Sequence, residues 1–124
     1  MLNNNQITSL VLSNVIVEGM KNLKAKDIVS IDLTNLDTAV CDFFVICHGT
    51  SDTHVSAISE SIIDQTLKTF QEKPWHKEGL TNGSWVLLDY GNVVAHIFQK
   101  EHREYFNLET LWGDAKIQFF KESA

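Results

Sequence analysis

Asp89 and His96 are the side chains best suited by type to acid–base chemistry, a carboxylate and an imidazole carried on two neighbouring apolar runs, Trp85–Tyr90 and Val93–Gln99. Such a pair is not yet an enzyme. Hydrolysis or group transfer also needs a nucleophile within hydrogen-bond reach and donors for the developing oxyanion, and neither accompanies the pair. Ser51, Asp52 and His54 supply the residue types of a nucleophilic triad, but they fall within one helical turn and no G-x-S-x-G elbow presents the serine. Ser51 reads instead as a helix N-cap. Two-metal phosphoryl transfer wants two carboxylates on one cation, commonly at i and i+2 of a strand; around Asp89 those places hold Leu87 and Gly91. Neither G-x-G-x-x-G nor G-x-x-x-x-G-K-[ST] occurs, so the common nucleotide cradles are excluded. Cys41, Cys47, His48 and His54 could ligate a metal, yet strand alternation sends Cys47 and His48 to opposite faces. The expectation is no catalytic set, no metal and no cofactor.

The elements that position these residues follow from periodicity. Leu12, Val15, Ile16, Met20 and Leu23 recur at helical spacing over Ile7–Leu23, with Asn5 as N-cap. Asp27–Leu33 and Phe43–Cys47 read as strands, the second buried on both faces. A second helix opens at Ser51 with Asp52 in its first turn and runs to about Phe70 on a stripe of Val55, Ile58, Ile62, Ile63, Leu67 and Phe70; Pro74 bars its continuation. A loop, Pro74–Ser84, precedes two strands around Gly91-Asn92. Glu101–Phe106 is a short helical turn, and Leu108, Leu111 and Trp112 form an apolar cluster before a lysine-bearing tail. The order α-β-β-α-β-β contains one strand–helix–strand crossover. It predicts an α/β (α+β) two-layer sandwich, a mixed sheet with two main helices on one face. No linker or repeat divides residues 1–124, which form a single domain.

The hairpin assigns side chains to faces. With Gly91-Asn92 as a two-residue turn, Tyr90 faces Val93, Leu88 faces Ala95, Leu87 faces His96 and Trp85 faces Phe98. One face then carries Val86, Leu88, Tyr90, Val93, Ala95 and Ile97, an apolar set for helices to cover. The other carries Trp85, Leu87, Asp89, Val94, His96 and Phe98. Two large aromatics beside a carboxylate and an imidazole suit a protein-recognition patch better than a dry core. Two arrangements remain open: this face meets a partner, or the segment containing Leu108, Leu111 and Trp112 folds over it.

Composition narrows the partner. A chain of 124 residues with 44% hydrophobic and 21% charged residues is that of an ordinary globular domain. Its net charge of −6 disfavours anchoring to a phosphate backbone, which depends on clustered Lys and Arg, so direct nucleic-acid binding is not expected. The apolar runs fall short of the roughly 18 residues of a membrane span. The polar, uncharged start Met1–Gln6 lacks the features of a signal or transit peptide, which points to the cytoplasm. Cys41 and Cys47, placed on one extended segment, would sit about 20 Å apart, beyond disulfide reach.

Several segments, in order and spacing over nearly the whole chain, together resemble the ribosomal silencing factors, the Iojap-type proteins. They are Lys26-Asp27-Ile28-Val29, Cys41-Asp42-Phe43-Phe44-Val45-Ile46-Cys47, Gly49-Thr50-Ser51 with His54-Val55, Glu78-Gly79, Trp85 through Gly91, Val93 through Phe98, Arg103, and Tyr105 through Leu108-Glu109 to Leu111-Trp112-Gly113-Asp114-Ala115. The resemblance implies a nucleotidyltransferase-like sandwich without transferase activity. It implies a translational repressor that binds the large ribosomal subunit through its fourteenth protein and sterically blocks joining of the small subunit when nutrients are scarce. It places Trp85, Asp89, Tyr90, His96 and Phe98 in or near that contact, to which the hairpin register adds Leu87 and from which it turns Tyr90 away. It further implies a homodimer when the protein is free; the alternatives are a nucleotidyltransferase-like enzyme or a factor for assembly of the large ribosomal subunit. The loop Pro74-Trp75-His76-Lys77 is bulkier than in the family's usual pattern.

Overall fold

The computed structural model describes residues 4–121, with side chains from Thr8 onward. The cap expected at Asn5 concerns a side chain outside those described. Helix α1 spans Asn4–Asn22 and α2 Asp52–Phe70. Ser51 caps α2 as expected: it is extended, and its Oγ accepts a hydrogen bond from the His54 N–H at 3.0 Å, satisfying one of the donors every helix start leaves free. The helix closes at Gln71, in the left-handed region with φ of 57°, before Pro74 can obstruct it. Val55, Ile58 and Ile62 of its stripe are fully buried, whereas Leu67 is exposed.

On α1, Leu12, Ile16 and Met20 face the core as the spacing predicts. Val17 joins them while Val15 is half-buried, and Ser9 and Ser13 are buried too. The stripe is broader than the apolar pattern because α1 packs on α2 as well as on the sheet. Gly19 sets the approach of the two helices, since a Cβ there would lie 2.8 Å from the Ile62 Cα. The Ser61 hydroxyl donates to the Gly19 carbonyl at 2.7 Å across the same contact.

Six strands form one sheet: β1 Lys26–Asp32, β2 Phe43–Gly49, β3 His76–Glu78, β4 Trp85–Asp89, β5 Val93–Gln99 and β6 Lys116–Phe119, in the spatial order β3-β4-β5-β2-β1-β6. Strands β2 and β5, joined through the α2 crossover, are parallel and the other pairs antiparallel, so the sheet is mixed as expected. The expected order α-β-β-α-β-β is kept, with two strands and a second short helix added. Strand β3 lies inside the expected loop and is exposed at all three residues, and β6 lies in the tail and is largely exposed. Their positions come from backbone pairing to β4 and β1 rather than from burial, which leaves the sequence little alternation to show. Both are short outer edges carrying a lysine, Lys77 and Lys116, which discourages further strand addition. Helices α3, Lys100–Phe106, and α4, Leu108–Leu111, link β5 to β6.

The β4–β5 register is the expected one, from Trp85 opposite Phe98 to Asp89 opposite Val94, and the Tyr90 N–H donates to the Val93 carbonyl at 2.9 Å. Gly91 has φ of 88°, the left-handed region that glycine tolerates and that a tight connection here uses. Val86, Leu88, Tyr90, Val93, Ala95 and Ile97 are buried beneath α1 and α2. A second, smaller core lies on the opposite face, with Val29, Ile31, Leu33, Ile46, Val94 and Phe98 at its centre.

Candidate functional site

The opposite face is where the hairpin places Trp85, Leu87, Asp89, His96 and Phe98. Strand β2 contributes Phe44, Ile46 and His48 to the same side through its parallel pairing with β5. Trp85 is the hub. Its indole stacks on Phe98 with ring centroids 4.9 Å apart, meets Phe106 of α3 at 4.6 Å, and donates its Nε1–H to His96 Nδ1 at 3.1 Å. Phe44 meets His96 edge-on at 4.7 Å and Trp112 at 6.0 Å. The segment after β5 therefore folds over part of the face, with Phe106, Leu108 and Trp112 against it. Trp85, Leu87 and Asp89 remain half-buried, while Val94, His96 and Phe98 are buried.

The His96 tautomer follows from its one bond. Because Nδ1 accepts from Trp85, the proton of the neutral ring sits on Nε2. That Nε2–H has no hydrogen-bond partner among the described residues. Burial pushes the His96 pKa down to about 4, since desolvation penalises the charged ring. Asp89 does not turn to it: its Oδ1 accepts from the Gly91 N–H at 2.7 Å, fixing the hairpin turn. The acid–base pair suggested by residue type is thus two structural groups, one keyed to an indole and the other to a turn.

In the loop Gly49-Thr50-Ser51 the Thr50 N–H and the Ser51 hydroxyl oxygen are engaged locally. The Thr50 N–H gives to His54 Nδ1 at 2.9 Å, His54 Nε2 meets the Leu23 carbonyl at 2.7 Å, and Ser51 caps α2. Among the described residues, no three His, Cys, Asp or Glu side chains converge as a cation site. Cys41 and Cys47 are free and buried, and burial pushes both thiols up to about 12, far from the thiolate a nucleophile needs.

Where the covered zone ends, apolar surface continues. Tyr105, Leu111 and Phe119 are strongly exposed and Phe106 is 42% exposed, all in the last third of the chain. The aromatic floor with its exposed border offers a large apolar area held at small entropic cost.

Residues 6–124 match the family model described as ribosomal silencing factor during starvation. The ribosomal silencing factor of Bacillus subtilis is 45% identical over 95 residues, covering 76% of this chain and 78% of that one. A crystal structure of a Chromobacterium violaceum protein superposes with a TM-score of 0.79 at 30% identity, covering 93% and 94% of the two chains. The chain belongs to the ribosomal silencing factor family. A mouse relative, 30% identical over 101 residues, is named for mitochondrial assembly of the ribosomal large subunit; the match covers 80% of this chain and 44% of the mouse protein.

For a silencing factor, the residues brought together are instructive. Trp85, Leu87, Asp89, His96 and Phe98 share one face, with the first three reaching its surface. Tyr90 does not share it. It is 3% exposed beneath the helices, with its hydroxyl 2.9 Å from Thr66 Oγ1, because alternation along β4 turns it away from Asp89 and towards α2. Sequence reasoning missed Phe44, Tyr105 and Phe106 as parts of this surface. For Phe44 the signal was present in its i, i+2 relation to Ile46 and His48. For Tyr105 and Phe106 it lay in an aromatic pair on a helical turn too short to bury both.

Proposed function

We propose that this protein is a translational repressor that binds the large ribosomal subunit through the subunit's fourteenth protein, and that the bound protein excludes the small subunit by occupying its place. It carries out no catalysis and works in the cytoplasm, slowing translation when nutrients are limiting. The observation that carries the reading is the partly covered aromatic face: half-buried Trp85, Leu87 and Asp89 on β4, continued by exposed Phe106, Tyr105 and Leu111. His96 and Phe98 contribute from beneath by holding Trp85. A net charge of −6 favours a basic protein surface as the partner over bare ribosomal RNA. Family membership, together with the large subunit in the mouse relative's name, supports the choice of subunit.

The same surface closes on a second copy when no ribosome is present, so dimer and ribosome complex compete for it. Sucrose-gradient sedimentation of purified subunits with added protein tests both. The protein should comigrate with large subunits and deplete joined ribosomes, and the free fraction should sediment as a dimer. Migration only with small subunits, or undiminished joining at saturating protein, would overturn the proposal; a monomeric free fraction would remove the dimer alone. The mouse relative's name favours a second reading, a part in large-subunit assembly. That reading expects accumulation of incomplete large subunits in cells lacking the protein.

A further inference from the structure

Arg103 carries a permanent charge yet is only 9% exposed. A guanidinium withdrawn from water persists where its donors are used, and here the partners come from three other elements. Its Nε donates to Glu109 Oε1 of α4 at 3.1 Å. One terminal nitrogen reaches His48 Nδ1 on β2 at 3.0 Å and the Lys26 carbonyl on β1 at 3.4 Å. Arg103 itself belongs to α3, so a single side chain ties the α3–α4 segment to the end of the sheet.

Besides that tie, the segment is held by the packing of Phe106, Leu108 and Trp112 on the sheet face. Helix α3 has seven residues and α4 has four; neither has a side-chain N-cap bond, and α4 buries no residue. Helices of this length are not stable alone. Yet this segment sets Phe106 on Trp85 and supplies the exposed aromatic border.

We propose that Arg103 is the positioning residue of the docking face: it sets the α3–α4 segment against the sheet, and its bond to His48 Nδ1 makes that placement depend on a neutral His48. The tie stands on the geometry above, whereas its consequence for binding rests on the function proposed for the face. A protonated Nδ1 has no lone pair, so acid would turn the bond into two donors and two cations 3.0 Å apart. The groups that bear on His48 are Arg103, Lys100 and Glu104 from α3, and Asp27 from β1. Glu109 of α4 lies beyond, on the guanidinium. Burial first and Arg103 second lower the His48 pKa, with Lys100 adding to this and Asp27 and Glu104 opposing. The folded pKa lies below the unfolded one of about 6.5, so the tie is complete at neutral pH; its stabilising effect declines as pH falls below about 6.5, and the bond itself is lost as pH falls on through the lower folded value.

Hydrogen exchange of the full-length protein, corrected for intrinsic rates, tests the tie. In the wild type, protection of the amides of residues 100–112 should fall about tenfold or more on going from neutral pH to about pH 5, with α2 remaining the better protected. His48→Asn keeps an acceptor near the place of Nδ1 and cannot be protonated; it should hold the segment equally at both pH values. Arg103→Ala should leave it unprotected at both, and should weaken large-subunit binding at neutral pH by about tenfold or more while α2 stays protected. Loss of segment protection in acid that is the same in His48→Asn as in the wild type would overturn the proposal, even where Arg103→Ala does not fold. So would undiminished segment protection, or unchanged binding, in a folded Arg103→Ala. If wild-type protein fails to bind large subunits at all, the function proposed for the face is wrong, while the exchange pattern still decides the tie.

Discussion

His96 shows how one hydrogen bond fixes the chemistry of a buried ring. The indole of Trp85 holds Nδ1, burial keeps the ring neutral, and Nε2–H is left without a partner among the described residues. Removing the indole donor while keeping an aromatic ring isolates that bond. Trp85→Phe should lower stability by about 1–3 kcal/mol, because a buried acceptor is left unpaired. In a His96→Phe background the acceptor is gone, and the same substitution should cost distinctly less. Denaturant unfolding of the four proteins closes the cycle. Equal costs in the two backgrounds would show that the bond contributes nothing and that Trp85 acts through packing on Phe98 and Phe106 alone. The result also bears on binding, because Trp85→Ala removes packing and bond together and so confounds a lost contact with a loosened fold.

At the scale of elements, the contact between α1 and α2 depends on a missing side chain. A methyl group at Gly19 would press on the Ile62 backbone, which cannot swing aside as a side-chain end can. Gly19→Ala gains about 1 kcal/mol of helix propensity, but separating two packed helices costs typically 1–3 kcal/mol, so a net loss and a lowered melting temperature are expected. A raised melting temperature would mean that the helices part freely. This contact also marks what the sequence could show. Both long helices, the β4–β5 register and the division of its side chains between faces were legible, because apolar spacing and the Gly91-Asn92 turn are local signals. Gly19 was not, since nothing in a lone glycine within a helical pattern says which backbone comes near. Val17 was traded for Val15 because α1 answers to two neighbours, and periodicity describes only one. Strands β3 and β6 were missed because edge pairing uses backbone groups common to every residue. On the candidate face, membership was legible and exposure was not: whether the C-terminal segment covered it depended on Arg103 reaching His48 and Lys26 across long sequence distances.

For the molecule as a whole, the two buried histidines set the direction of its response to acid. His96 is pushed down to about 4 by burial, and His48 is lowered by burial and by Arg103. In the unfolded chain both would titrate near 6.5. Between the folded and unfolded values the unfolded state binds the additional protons, so stability present above about pH 6.5 drains away as pH falls towards 4. His96 alone accounts for about 3 kcal/mol over that window, near 1.4 kcal/mol per pH unit, and His48, lowered too, adds to the loss in the same direction. For a domain of ordinary stability, about 5–15 kcal/mol, this is a large share. Denaturant unfolding at closely spaced pH values between 7.5 and 4 should show a falling free energy of about this slope, and His96→Phe should remove the His96 part while leaving that of His48. A wild-type stability that is flat from pH 6.5 to pH 4 would mean that His96 is reached by water or paired on Nε2, and that the sheet face is more open than its packing indicates. The slope therefore reports on the same cover over Trp85 and His96 on which ribosome docking is proposed to depend, and does so without a ribosome present.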